Sequence, residues 1–323
     1  MREQNDSSKL FLDTRLKFRH LRLLVALDDY RNIARAAESI GLSQPGASKL
    51  LADVERVLGV RLFERTSLGL EPNELSTTFI RRARAIIFEL NKAGDELVAL
   101  KSGHVGVVNV GALGTRGLEL VARAAKRMKL KEKYPLVQMW VDVGNTEYLM
   151  KRVADGELDF VVGWVTPDID PSLFSVEIIG NEKFEFICAS GHPLLSKERV
   201  HLEDLVDVEW VLQSSDSLVR RASEALFAAR GLPIPTPVIT ATSLLSMIVL
   251  LQEMNAVSVA TATAVRRFSA PGGFRVLPVV DPIGSEQLGV VSQAQIAMEP
   301  TAQLFLEIIK EVAADGVGDQ QTD

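Results

Sequence analysis

The stretch from Asn32 to Thr66, NIARAAESIGLSQPGASKLLADVERVLGVRLFERT, constrains this chain more than any other. Ile33, Ala36, Ala37 and Ile40 recur at i, i+3, i+4 and i+7, which lays one apolar stripe along a short helix. Asn32 stands immediately before that stripe, where its side-chain oxygen can accept from a free N–H of the first turn. Gly41 supplies a turn. Ser43 then caps a second helix whose first turn holds Pro45, a position where the missing N–H costs nothing. That helix turns Ala47, Leu50, Leu51, Val54 and Leu58 inward, while its opposite face near the N-terminus carries Gln44, Pro45, Ser48 and Lys49. Two short helices around a glycine turn, the second offering polar side chains from its first turns, make a helix-turn-helix. Gly59 leads on into Val60–Phe63 and Arg65–Thr66, which read as a β-ribbon with Gly69 at its tip.

The polar face has the chemistry of a DNA major-groove reader. A glutamine such as Gln44 can pair in bidentate fashion with an adenine edge, and the ring of Pro45 can sit on a thymine methyl. Ser48 can bond to a base or a phosphate, and Lys49 offers a point charge to the backbone. The competing reading is an ordinary αα-hairpin with a solvated face. Ala36, Ala37, Ser43, Gln44, Pro45, Ser48, Lys49, Glu55, Leu62, Phe63, Arg65 and Thr66 stand in the order and spacing of a known pattern. That run resembles the N-terminal domain of LysR-type transcriptional regulators. The resemblance implies a wing that reaches phosphates or the minor groove through Arg65, and a DNA-binding set of Asn32, Ser43, Gln44, Pro45, Ser48, Lys49, Arg65 and Thr66. Departures occur at the wing, where Leu68 and Glu71 replace residues that are commonly basic or neutral, and at Ile33 and Ala34, where the family has Phe and Thr. The family's Thr-Glu-Ala-Gly is Asn73-Glu74-Leu75-Ser76, and Asn73 can still cap the helix that follows.

A net charge of −6 argues by itself against a nucleic-acid binder, so its distribution matters. Residues 1–103 hold 17 Lys+Arg against 14 Asp+Glu, and the remainder holds 19 against 28. A mildly basic end on an acidic body fits a DNA-facing domain whose weak charge needs the avidity of several copies. No apolar run approaches the length of a membrane span, and the N-terminus lacks the apolar core of a signal peptide. The lone Cys188, inside the apolar run FEFICA, reads as a buried core thiol in a reducing compartment, which places the chain in the cytoplasm. His20, His104, His192 and His201 have no metal spacing to one another or to the cysteine, so neither a metal nor a cofactor is expected.

Leu16 to Asp29 reads as a scaffold helix with Phe18, Leu21, Leu24, Val25 and Leu27 on its apolar pattern. From Asn73 to Ser102 runs one long helical segment. Phe79, Ala83, Ile86, Leu90, Ala93, Leu97 and Leu100 alternate spacings of four and three, the seam of a coiled coil. A single helix cannot bury such a seam, so the chain is expected to dimerise along it; the alternative is packing on its own C-terminal domain. The resemblance adds tetramers built from pairs of dimers.

After Ser102-Gly103, strands rich in β-branched residues alternate with helices, as buried parallel strands do. The expected body is α/β, with two lobes that the chain joins near Glu177–Lys183 and again near Gly273–Pro278. This order resembles the effector-binding domain of the same family, itself similar to periplasmic binding proteins. The likeness covers residues 16 to about 312, and LFERTSLGLEP and LQEMNAVSVAT are similar to the branch controlling sugar or aromatic-acid catabolism. The expected fold is therefore an N-terminal all-α winged helix-turn-helix over 16–73, a linker helix over 74–103, and a two-lobed periplasmic-binding-protein-like α/β domain over 104–312. Its lobes are 104–178 plus 277–312, and 179–276, with 313–323 as a disordered tail.

Ligands of open α/β sheets sit beyond the carboxyl ends of strands, where helix N-termini present free N–H groups. Leu113, Gly114 and Thr115 mark the first such point and Asn145 and Thr146 the second; Ser214, Ser215, Thr242 and Ser243 lie at helix starts of the other lobe. The resemblance places a hydroxyl contact at Thr115. Hydroxyls and N–H groups converging from both lobes suit a small anionic or polyhydroxylated effector, although each Ser or Thr can instead be only a helix cap. Arg116 could meet a carboxylate or lie on the surface. Gly111, Gly114 and Gly117 after a strand, with Asp142 further on, superficially suggest a dinucleotide-dependent enzyme, but the spacing departs from Gly-x-Gly-x-x-Gly and no acid/base pair or nucleophile accompanies it. A ligand-independent DNA-packing protein is the third reading, and a two-lobed body argues against it. The sequence thus points to a sequence-specific regulator that binds double-stranded promoter DNA and a small-molecule effector, and to no enzyme.

Overall fold

The structure is a computed structural model, and it describes residues 16–66, 69–101, 106–130, 137–166, 169–215, 217–269, 274–294 and 296–318. In the N-terminal unit α1 (Phe18–Tyr30), α2 (Ile33–Ser39) and α3 (Gln44–Leu58) precede a ribbon of β1 (Phe63–Thr66) and β2 (Gly69–Pro72), and α4 (Glu74–Lys101) follows. Leu23, Leu24 and Leu27 of α1 pack on Ala36 and Ala37 of α2, on Ala47, Leu50 and Val54 of α3, and on Ile80 of α4. Because α1 is covered from several sides, its buried face is wider than a single stripe. Leu23 and Ala26 are buried where the periodicity favoured Phe18, which stays 39% exposed. Leu51 and Leu58 lie only partly buried at the edge of the same core.

Local hydrogen bonds set the helix starts. Asn32 Oδ1 accepts from the N–H groups of Ala34 and Arg35 at 2.9 and 3.1 Å, and Ser43 Oγ accepts from Gly46 at 3.3 Å. Glu55 Oε1 accepts from the Leu62 N–H at 2.8 Å, which ties α3 to the root of the ribbon. The ribbon is antiparallel from Phe63↔Pro72 to Thr66↔Gly69. At Gly69 φ is +127°, and a Cβ there would lie 2.4 Å from the Arg31 carbonyl oxygen, which also accepts from the Leu70 N–H at 2.9 Å. Only glycine lets the wing close onto the end of α1. Asn73 caps α4 by accepting from Ser76 at 3.0 Å. Arg84 of α4, its side chain only 8% exposed, donates to Asp28 at 2.9 Å and to Asp29, so the long helix is clamped to α1.

The C-terminal unit holds β3 (Gly106–Ala112), α5 (Gly114–Leu130), β4 (Val137–Val143), α6 (Thr146–Ala154), β5 (Phe160–Trp164) and β6 (Phe174–Ala189). Then come β7 (Glu209–Leu212), α7 (Leu218–Ala229), β8 (Pro237–Thr240), α8 (Leu244–Glu253), β9 (Ala256–Thr261), α9 (Ala262–Phe268), β10 (Phe274–Val276), β11 (Ser285–Gln293) and α10 (Pro300–Gly318). The strands form one sheet in the order β4-β3-β5-β11-β6-β9-β7-β8, with β10 also on β6. It is mixed rather than parallel. β3 pairs parallel with β5, and β7 parallel with β8 and β9, whereas β11 runs antiparallel to both β5 and β6.

β6 explains the difference. It is one 16-residue strand that serves both lobes. Its residues Phe174–Lys183 pair with β11, and Phe184–Cys188 pair with β9. One core lies around Val110, Leu120, Phe160 and Phe305, and two others around Trp210 and Phe227 and around Ile187 and Leu251. The return crossing falls later than Gly273–Pro278. β10 still pairs with Ile187–Ala189, and Leu277, assigned from sequence to the first lobe, is buried in the second lobe's core. The chain re-enters the first lobe at Ser285, opposite Lys183. The chain end also differs from a tail beginning at 313. Val312 and Ala313 continue the stripe of Ile308 and Ile309 into the first core, and α10 runs on to Gly318; residues 319–323 lie outside the described set, as do 1–15 and the Ser102-Gly103 hinge.

Candidate functional site

Two surfaces carry the residues nominated above. On the N-terminal unit, Gln44, Pro45, Ser48 and Lys49 are all exposed on one side of α3, while Ala47, Leu50 and Val54 anchor its other side. A short rigid helix pinned by its buried face thus presents an amide, a pyrrolidine, a hydroxyl and an ammonium to solvent. Asn32 and Ser43 lie beside them, their oxygens engaged in the caps. Thr66 Oγ1 donates to the Gly69 carbonyl at 3.4 Å across the ribbon turn. Arg65 lies in β1; its side chain falls outside the described set, as does Leu68.

Within the C-terminal unit a cavity of about 1020 Å³ opens between the two lobes. Leu113, Gly114 and Thr115 reach it from the β3–α5 junction, Asn145 and Thr146 from the β4–α6 junction, Ser214 from beyond β7, and Thr242 and Ser243 from beyond β8. Ser215 does not line it. The helix read from Asp216 begins at Leu218 behind Ser217, so Ser215 sits on an exposed turn and Ser217 faces the cavity in its place. Some of these oxygens have local work: Asn145 Oδ1 accepts from Tyr148 at 2.9 Å and Ser243 Oγ from Ser246 at 3.1 Å.

Several lining residues escaped sequence reasoning. Trp164 stands at the carboxyl end of β5, the place where the strand-end rule would have found it, and packs edge-on against Phe184. Gly114 has φ +70°, and a Cβ there would lie 2.9 Å from the Trp164 ring, so the glycine makes room for the indole. Gln213 donates to the Val259 carbonyl at 2.8 Å. Buried Trp164 Nε1 and Gln213 Oε1 have no hydrogen-bond partner, which leaves a donor and an acceptor beside the cavity. Among the described residues the charged side chains of the lining are Glu147, Asp170 and Arg221.

Arg116 is neither a surface group nor a cavity group. It is buried, and its Nη1 donates to Glu119 at 3.0 Å. Burial pushes the Glu119 carboxyl upward, but hydrogen bonds from Arg116 and from Arg267 outweigh it and hold the group below the usual range. The glycine spacing that suggested a dinucleotide site has a packing cause as well: a Cβ at Gly117 would lie 2.3 Å from the Val162 carbonyl oxygen, so the glycine brings α5 onto β5.

Comparison with known proteins agrees with this arrangement. The family described as bacterial regulatory helix-turn-helix protein, lysR family, matches residues 18–76, and the LysR substrate binding domain matches residues 101–314. The chain belongs to the LysR family: it is a DNA-binding transcriptional regulator with an effector-binding domain, not an enzyme. It is 38% identical over 301 residues to the HTH-type transcriptional regulator GbpR of Azospirillum brasilense, covering 93% of this chain and 87% of that one. In fold it is similar to CbnR, a LysR family transcriptional regulator, with TM-score 0.63, 21% identity and coverage of 92% of this chain and 99% of that one. It is also similar to the regulatory domain of CcmR from Synechocystis PCC6803, solved in complex with 2-PG, with TM-score 0.57, 18% identity and coverage of 65% and 98%. Among the described residues no helix is long and apolar enough to cross a membrane.

Proposed function

We propose that this regulator reads promoter DNA through Gln44, Pro45, Ser48 and Lys49 of α3, with the ribbon of β1 and β2 as its wing, and senses a metabolite in the cavity between its two lobes. Asn32 and Ser43 set the angle of the reading helix and lie close enough to meet phosphates; Arg65 and Thr66 serve the wing. The observation that carries the effector reading is the convergence on one cavity of Thr115, Asn145 and Thr146 from one lobe and Ser214, Thr242 and Ser243 from the other. The lining of hydroxyls and amides among apolar walls suits an anionic or polyhydroxylated small molecule that is mostly enclosed. CcmR's regulatory domain, similar in fold, was solved with 2-PG, and CbnR was solved with its target DNA.

The exposed apolar stripe of α4, with Ile86, Leu90 and Leu97 more than half exposed, supports a dimer formed along that helix, and such dimers pair into a tetramer as the family resemblance implies. A cytoplasmic location follows from work on the chromosome. The effector shifts the equilibrium between lobe arrangements in proportion to its difference in affinity for them.

A thermal-shift screen of metabolites on the full chain tests the reading. A hit should raise Tm for the parent protein. Thr115→Val should weaken that response at least several-fold while leaving DNA affinity without effector unchanged. A parental dose response in Thr115→Val removes Thr115 from the site.

A further inference from the structure

An ion chain links the two lobes. Glu119 belongs to α5 in the first lobe, where Arg116, three residues earlier, donates to it at 3.0 Å. Its other carboxylate oxygen accepts from Arg267 of α9, in the second lobe, at 2.8 Å. Arg267 is half exposed, whereas the side chains of Glu119 and Arg116 are 13% and 7% exposed, so the carboxylate is packed into the first lobe and the lobe-crossing partner is the more solvent-accessible one.

The helix that carries Arg267 is held at its other end by the strand that joins the lobes. Glu182 of β6, 1% exposed, accepts from the Thr263 N–H at 2.8 Å and from its hydroxyl at 3.0 Å. Arg266 in turn donates to the Thr263 hydroxyl at 2.8 Å. Ala264, between these two ties, and Phe268, next to Arg267, form part of the cavity wall. The helix therefore touches the crossing strand, the cavity and the opposite lobe within a single seven-residue element.

We propose that α9 is a latch, with the Glu119–Arg267 pair holding the lobes in the arrangement seen here and Arg116 positioning the carboxylate. A ligand pressing on Ala264 and Phe268 displaces or seats Arg267, so the pair converts cavity occupancy into lobe angle. The direction of that coupling rests on the cavity being the effector site; the latch itself does not. Arg116, Glu119 and Arg267 are positioning residues that need no contact with the ligand.

The test measures lobe separation in the full chain without ligand. Cysteines introduced by Lys126→Cys on α5 and Ala228→Cys on α7, both exposed positions, take spin labels, while native Cys188 is fully buried. Labelled subunits diluted into unlabelled parent protein report the distance within one chain by pulsed electron resonance. The parent should give one short-distance population. Arg267→Gln and Glu119→Gln should each add a longer-distance population, and Arg267→Lys should restore most of the short one. A distance distribution unchanged in Arg267→Gln would overturn the latch. Arg267→Gln alters a half-exposed side chain and keeps the fold, so a null result there is decisive even if Glu119→Gln is unstable. Loss of a metabolite response in Thr115→Val, or its absence, bears on the cavity alone and leaves this result standing.

Discussion

Gln44 shows what a single side chain can decide in this protein. It is exposed at the first turn of a helix whose buried face leaves it no freedom to turn inward, so its amide is available to a base edge. Gln44→Ala should relax preference at one base position and cost ~1–3 kcal/mol there, read by binding-site selection; unchanged selectivity would falsify its role. Asn32 separates capping from contact. Asn32→Ala should lower stability by ~1 kcal/mol through the lost cap, and Asn32→Asp should recover the stability in denaturant titrations. Asp also adds a negative charge near the phosphates, so contact is read from the neutral cap Asn32→Ser: stability restored with DNA affinity still low would place Asn32 at the DNA. Gly117 was visible only as part of an odd glycine spacing. Its close approach to Val162 means that Gly117→Ala should destabilise the C-terminal unit by ~1–3 kcal/mol, an overpacking cost measurable as a lower denaturation midpoint.

The elements were legible to the degree that each one's burial comes from a single side. α2 and α3 matched their periodicity because one face packs and the other does not, and Asn32, Ser43 and Asn73 announced their helix starts through side-chain oxygens that accept from N–H groups two or three residues on. α1 was read less well, since several partners bury it and the stripe widens to Leu23 and Ala26. In β6 only the second part, FEFICA, carries the apolar run of a core strand; Phe174–Lys183 is mostly exposed and carries Glu177, Glu182 and Lys183, so its strand pairing leaves little local signal. On α4 the seam divides. Ala83 is buried, whereas Leu90 stands 56% exposed on a stripe that needs a partner. Leu90→Asp should therefore weaken self-association, and sedimentation at the parent's oligomeric size would argue against that interface.

At the scale of the whole molecule, function depends on groups brought together from distant parts of the chain. The cavity gathers the ends of separate strands, and the lobes are joined by β6 and by the return at Ser285, so a small change of angle there alters the distance between Thr115 and Thr242. Sequence alone determined the helix-turn-helix, its exposed polar face, the long seam and the α/β class, because periodicity, caps and turn glycines act over a few residues. It also found most of the cavity's hydroxyls, since strand ends and helix starts are local signals. Only the tertiary structure decided that Trp164 and Gln213 sit at the cavity, that Leu277 belongs to the second lobe, and that Glu119 takes up both Arg116 and Arg267. Those are outcomes of packing between segments more than a hundred residues apart in the extreme case, where Glu119 meets Arg267, and no short-range pattern records them.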